Sequence, residues 1–339
     1  MARINRSSIF PKAVTYITHA IAKTAQDIFL MGNDPVTKKD YSHRKEWIAE
    51  IMRFQASLMA IDVLGYAIMS NHVHFMLRSR PDIVAKWTDH EVARRWLTLC
   101  PKHRRRKRVN GKLVYTPVPP TEEQIEAVVK DPERIKELRA QLCDVSWWMR
   151  LLCQKVAQRA NSEEGVAKGH FWKSRFHAVV IEEYSYLVAC TAYVDLNPQR
   201  ANIAKSIEDY DYTSAKARLH KNRGDPSWLS PIQITSPSSN PEVSTQGARC
   251  SDKGFLEMSE QEYFELLKWC IEHQVATKDI EVKADRPPWL CKLGVSMETW
   301  VKQVRSFGKL YRYFAGTKPT ATEGSPQSET HGSGSTESN

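Results

Sequence analysis

His72 and His74 are separated by one residue, and among the 11 histidines of the chain no other pair is. On an extended strand, residues i and i+2 share a face, so both imidazoles project side by side while Val73 and Phe75 face an apolar core. Two adjacent neutral imidazoles form a clamp for a divalent cation. The same spacing equally describes two histidines on a solvated sheet face. Zinc hydrolases with such a pair add further ligands nearby, whereas no Asp, Glu or His follows within the next six residues. A second constellation lies before Pro198, where Tyr186, Tyr193 and Asn197 recur at spacings of seven and four beside the apolar Leu187, Cys190, Thr191 and Val194. A carboxamide oxygen can ligate Mg2+ or Mn2+, and a phenol can attack phosphorus to form a covalent intermediate. Spacing alone does not choose Tyr193 among 12 tyrosines, and Asn197 also suits helix termination before proline.

Positioning these groups requires alternating strands and helices. Val14 to Thr18 reads as a strand, Arg44 to Met59 as a helix with Trp47, Ile48, Ile51, Met52, Gln55 and Leu58 at helical spacing, and Ile61 to Met69 as a second strand. Ser70-Asn71 makes a turn into a third strand, His72 to Leu77. Glu122 to Ala160 reads as helix, Phe176 to Ile181 as the last strand, and Glu182 to Leu196 as a helix stopped by Pro198. This order predicts an α+β fold with an antiparallel sheet and helices on one face.

The chain has 339 residues and a formal charge of +10, and its 41% hydrophobic content is enough to build a core, which excludes a wholly disordered chain. Residues 1–224 hold 37 Lys and Arg against 24 Asp and Glu, whereas residues 225–339 hold 12 against 15. The excess belongs to the first two-thirds. Lys102 to Arg108, including Arg104, Arg105, Arg106, Lys107 and Arg108, puts six fixed positive charges in seven residues, suited to phosphates or to a self-repelling open loop. Residues 229–252 read as a Ser/Pro/Thr-rich linker, 253–316 as a small helical accessory region, and 317–339 as a disordered tail. The seven scattered cysteines contain no Cys-x-x-Cys pair, so neither a disulfide scaffold nor a cysteine zinc site is expected. No stretch approaches the roughly 20 apolar residues of a membrane helix and Met1 to Pro11 lacks an apolar signal core, giving the expectation of a soluble, cytoplasmic protein with no membrane partner.

The run Tyr66-Ala67-Ile68-Met69-Ser70-Asn71-His72-Val73-His74-Phe75-Met76-Leu77 resembles the histidine motif of the HUH-type Y1 transposases of the insertion-sequence-200 group, in particular their REP-associated tyrosine transposase branch. Gly169-His170-Phe171-Trp172-Lys173-Ser174-Arg175-Phe176 is similar to the Phe-Trp-x-x-Arg-Phe strand of that branch. Ala192-Tyr193-Val194-Asp195-Leu196-Asn197-Pro198-Gln199-Arg200-Ala201 is similar to its Tyr-x-x-x-Asn-Pro-x-Arg-Ala helix end. The resemblance covers roughly residues 8–220, with an insertion at about 87–144 that contains the basic run, so that 1–228 reads as one transposase domain. It implies a ferredoxin-like fold with the His-x-His strand in mid-sheet, His72 and His74 as ligands of Mg2+ or Mn2+, and Tyr193 as nucleophile. Asn197 stands where related enzymes place a polar third ligand, often Gln. The substrate implied is single-stranded DNA flanking a hairpin, typically a repetitive extragenic palindrome, cleaved and rejoined through a 5′-phosphotyrosine by a monomer or homodimer associated with the nucleoid.

DNA contacts are expected from the basic run and from Arg150, Arg159, Lys173, Arg175 and Arg200, with Trp147, Trp148, Phe171 and Trp172 as stacking or core residues. Two rival readings stand beside this one. A domesticated hairpin-binding protein would keep the fold without the chemistry. A metal-dependent hydrolase of small substrates would leave the basic run and the tyrosine helix unexplained.

Overall fold

The computed structural model describes residues 10–11, 13–101, 104–109, 112–166, 169–220, 228–234, 251, 253–277, 281–282 and 284–316, with the backbone path alone for 104–109 and 112–117. The expected tail, 317–339, lies outside them. Strand β1 (Tyr16–Lys23) leads through helix α1 (Arg44–Leu58) to the hairpin β2 (Ile61–Ile68) and β3 (His72–Ser79). The short α2 (Pro81–Val84) and α3 (Asp89–Leu99) precede a ribbon of β4 (Arg104–Val109) and β5 (Lys112–Pro117). Helices α4 (Glu122–Val129), α5 (Pro132–Gln141) and α6 (Val145–Glu163) return the chain to β6 (His177–Ile181). There follow α7 (Tyr184–Asp195), α8 (Asn197–Arg200), α9 (Ser214–Leu219), α10 (Glu260–Glu272), α11 (Pro288–Lys292), α12 (Met297–Leu310) and a last short strand, β7 (Phe314–Ala315).

The sheet order is β2-β3-β1-β6-β7. Its first four strands are antiparallel throughout and arise from a β-α-β-β-α-β sequence, so the α+β, ferredoxin-like class read from the sequence is the one observed. β7 adds to the edge in parallel to β6, Val180 facing Phe314. Alternation along the strands builds two cores. Val73, Phe75 and Leu77 of β3 join Ala20 and Ala22 of β1 in a cluster with α1 and α6, where the fully buried Trp148 meets Phe75 edge-on at 5.1 Å. Arg44, also fully buried, ties α1 to the end of α6 through Glu163 and Glu164. Met76 of β3 and Val179 of β6 point to the opposite cluster, formed with α7, α10 and α12.

The crossover helices thus share one face as expected. The other face, read as free of helices, is covered, because α12 packs along α7 with Trp300, Val304 and Phe307 fully buried. The segment expected as a linker begins buried: Leu229 and Ile232 are in the core and the Ser230 N–H donates to the Val63 carbonyl at 2.9 Å, while 235–250 lie outside the described residues. Tyr263 and Leu266 of α10 are fully buried, on a helix started by a capping box between Ser259 and Glu262.

Three local expectations are corrected. β1 starts at Tyr16 and runs to Lys23, with Val14 left 53% exposed before it. The single helix expected over Glu122 to Ala160 is three. Pro132 cannot donate a backbone hydrogen bond and opens α5 with Asp131 as its cap, and Asp144 caps α6 by accepting from the Ser146 N–H. The basic run is a strand rather than an open loop. Its register sets Arg105 opposite Thr116, Arg106 opposite Tyr115 and Lys107 opposite Val114, so each central cation faces an uncharged residue and like charges are never paired across the ribbon.

Candidate active site

β3 begins at His72, and the pleat sends His72 and His74 to the face that carries α7, their rings perpendicular and 5.0 Å apart. α7 crosses that face and brings Tyr193 from far along the chain to His74, with ring centroids 5.4 Å apart. Its C-terminal end is held by Asp195, a buried carboxylate that accepts from the Ala215 N–H at 2.9 Å, the Tyr263 hydroxyl at 2.8 Å and Ser214. The chain kinks at Leu196 into α8, whose first turn contains Pro198, and Asn197 turns its Oδ1 to 3.4 Å from His72 Nε2. The other ring nitrogen of His72 is 2.7 Å from Asn71 Oδ1. His72, His74, Tyr193 and Asn197, named separately from the sequence, therefore occupy one site.

His74 and Tyr193 are buried and His72 is half-buried, and this burial favours the uncharged form of both histidines. Burial lowers His72 to about 4, against the opposing effect of its hydrogen bond to the Asn197 Oδ1 acceptor and with further lowering by the Arg200 cation. His74 is held well below its ordinary value, first by burial and then by His72 and His19. Burial raises the Tyr193 phenol, with Arg200 pulling it down only in part. Neutral imidazole is the form a metal ligand must have. Adjacent ligands held at about 2.0–2.1 Å from an octahedral cation lie about 3 Å apart, so the 3.4 Å between His72 Nε2 and Asn197 Oδ1 suits a shared cation. His72 and Asn197 fit the group that the resemblance implies, and the His74 ring lies beside them, 5.0 Å from that of His72.

Three participants were not found in the sequence. His19 of β1 is fully buried, with its Nε2 2.8 Å from His74 Nδ1. Such a contact needs one proton between the two nitrogens, and with that proton on His74 Nδ1 its Nε2 is left as a lone pair. The signal was a lone histidine on the apolar Ile17, His19, Ile21 face of a strand. Phe307 of α12 lies 6.0 Å from the Tyr193 ring, and Gly308 follows it directly over the hydroxyl. Together they leave Tyr193 only 8% exposed. A Cβ built on Gly308 would sit 3.0 Å from both the Tyr193 hydroxyl and Ile21 Cδ1. Gly308→Val is therefore expected to lower stability by about 1–3 kcal/mol through overpacking; an unchanged denaturation midpoint would show that α12 is not seated on the tyrosine.

The expected DNA contacts are dispersed. Arg200 is half-buried: its guanidinium stacks 3.8 Å from the Tyr193 ring centre and donates to the carbonyls of Tyr193 and Val304. Arg159 pairs with Glu50 at 3.1 Å, and Lys173 with Asp27 at 2.7 Å. Arg150 lies over Trp147, and Arg175 is exposed. Trp148 and Phe171 are core residues, while Trp147 and Trp172 are half-buried. The side chains of Arg104, Arg105, Arg106, Lys107 and Arg108 lie outside the described residues. Among the described residues, one other cluster has metal-ligand character: His90, Glu122 and Glu126, at the surface between α3 and α4.

The sequence matches no protein-family model and no curated protein. Among solved structures it is similar to a REP-associated tyrosine transposase bound to a REP hairpin, at 11% identity and a TM-score of 0.34, over 72% of this chain and all of that one.

Proposed function

We propose that this protein is a metal-dependent enzyme that cleaves and rejoins single-stranded DNA at hairpin-flanked sites through a 5′-phosphotyrosine at Tyr193. The observation that carries this reading is the convergence of a phenol with two neutral histidines and a carboxamide: Tyr193 is 5.4 Å ring to ring from His74, and Asn197 Oδ1 is 3.4 Å from His72. His72, His74 and Asn197 would hold Mg2+ or Mn2+. When bound, such a cation polarises a phosphate oxygen and stabilises a departing alkoxide. The Tyr193 oxygen attacks phosphorus, a P–O bond to tyrosine forms, the bond to the 3′ oxygen breaks, and the phenol proton ends on that oxygen as a free 3′-OH. A second 3′-OH attacking the phosphotyrosine reverses the step, so the bond energy is retained and no nucleotide cofactor is needed. Arg200, stacked on the phenol ring, stabilises negative charge developing there.

Incubating the protein with hairpin oligonucleotides that carry single-stranded flanks, with Mn2+ or Mg2+, should yield a detergent-resistant protein–DNA adduct that a chelator prevents. Absence of any adduct across such substrates refutes catalysis. The burial of Tyr193 under α12 favours one alternative, a hairpin-binding protein without chemistry, which would show hairpin affinity and no adduct. The basic ribbon is assigned to phosphate neutralisation. Replacing Arg104, Arg106 and Arg108 by Ser is expected to flatten the slope of log affinity against log salt by about 2 if each meets one phosphate of a single strand. An unaltered slope would remove the ribbon from the interface.

A further inference from the structure

Two cavities open on the flank of α6, one of about 800 Å³ and one of about 430 Å³, and they share Asp144, Ser146 and Arg175 in their walls. They adjoin along these three residues, making a groove of two parts. Its narrower part lies between Trp147 and Arg150 of α6 and the Trp172 to Arg175 segment that leads into β6. The wider part continues past Tyr16, Lys136 and Arg139. Four cations thus line a groove whose carboxylate, Asp144, is engaged in capping α6.

The aromatic rings are placed to receive flat partners. Trp147 and Trp172 are half-buried, so each keeps part of its surface accessible, and each is fixed from behind. Trp147 meets Trp96 edge-on at 5.5 Å and carries the Arg150 guanidinium 4.6 Å from its ring centre. Trp172 donates from its indole nitrogen to the Cys153 carbonyl at 2.9 Å. The Trp172 end of the groove abuts the strand end that carries His72. Trp172 bridges to Thr24, the Lys173 N–H donates to the Lys23 carbonyl at 2.8 Å, and Lys23 is the strand partner of His72.

We infer that this groove holds the unpaired flank of the DNA, its bases stacked on Trp147 and Trp172 and its phosphates met by Arg150 and Arg175. Interleaved cations and indoles are what an unpaired strand requires, since bases present π-faces in any sequence and phosphates recur at regular intervals. A duplex, with its bases already stacked, gains nothing from the indoles. The groove therefore distinguishes a flanked hairpin from a blunt one. This inference rests on the reading of the protein as acting on single-stranded DNA, and assigns where the strand lies next to the end of the sheet that carries His72.

The test compares binding of a hairpin with a single-stranded flank against the same hairpin cut blunt, using the full chain. The unsubstituted protein should favour the flanked form. The double variant Arg150→Glu, Arg175→Glu, which alters two exposed side chains and leaves the core intact, should lose at least tenfold in affinity for the flanked hairpin and leave the blunt one within twofold. Trp147→Phe should remove part of the tryptophan fluorescence quenching caused by the flank. If the variant binds both DNAs as the unsubstituted protein does, the groove assignment fails while DNA binding stands. If the unsubstituted protein binds neither DNA, the proposed function fails and the groove assignment with it.

Discussion

Tyr193→Phe abolishes the covalent protein–DNA adduct and leaves hairpin affinity within a few-fold. The substitution removes one oxygen and keeps the ring that packs against His74, Phe307 and the Arg200 guanidinium. Its structural cost is that of one buried hydroxyl, about 1 kcal/mol or less. The chemical cost is complete, because no covalent bond to phosphorus can form without the phenol oxygen. Tyr186 on the same helix is no substitute: its ring lies against Tyr311. An adduct persisting in the Tyr193→Phe protein would remove Tyr193 as nucleophile. The same assay has a pH signature. Burial raises the phenol, so near neutral pH the reactive phenolate is a small fraction that grows about tenfold per pH unit. Adduct formation in the unsubstituted protein should accelerate between pH 7 and 9, and a rate that falls over that range would contradict rate-limiting attack by Tyr193.

Much of this site was readable because its geometry is local. The strand period alone sets His72 and His74 on one face and Val73 and Phe75 on the other, a fact that needs no knowledge of the rest of the fold, whereas Tyr193 and Asn197, four residues apart, are separated by the kink at Leu196. What places α7 over β3 is tertiary packing, and it was reachable only through the motif resemblance. His19 escaped for the same reason. A single histidine on an apolar strand gives no pattern, and its meaning depends on the register that sets β1 against β3. Arg200 read as a DNA contact from its place beside the motifs; that its guanidinium, half-buried at the end of α8, lies over the Tyr193 ring depends on packing that the sequence does not state. The misread basic run shows another limit. Charge repulsion disfavours a packed element, but a two-stranded ribbon whose register sets uncharged residues opposite the cations avoids direct cross-strand like-charge pairs. The cover of Tyr193 by α12 could not be foreseen at all, since that helix's amphipathic pattern announces only that it has a buried face and not which surface receives it.

Acidification from pH 7 to 5 in a chelator destabilises the folded protein by several kcal/mol, through the same buried histidines. His19 is lowered from 6.5 to about 3, chiefly by burial and secondarily by His177 and Arg200. The unfolded chain therefore takes up a proton near pH 6.5 while the folded chain does not. The stabilising contribution is full above 6.5 and is lost as pH falls from there toward 3. At pH 5, about 1.5 units into that window, His19 alone costs about 2 kcal/mol. His72, lowered to about 4, and His74 act in the same direction. Together they approach the lower end of the roughly 5–15 kcal/mol that stabilises a folded domain. The carboxylates held low by their partners, Asp27, Asp34, Asp40, Asp82, Asp209 and Glu262, lose stability only at more acid pH, as it falls through their ordinary 3.8 or, for Glu262, 4.5, so the interval from 6.5 to 5 isolates the imidazoles. Asp195, raised by burial, acts the other way and cannot produce the loss. Urea denaturation at pH 7, 6 and 5 measures the slope. His19→Gln, which keeps an acceptor for His74 and carries no titrating group, should recover about 2 kcal/mol of the difference. Equal stability at pH 7 and 5, or a loss that His19→Gln does not reduce, would mean that water reaches these histidines and that the site is open.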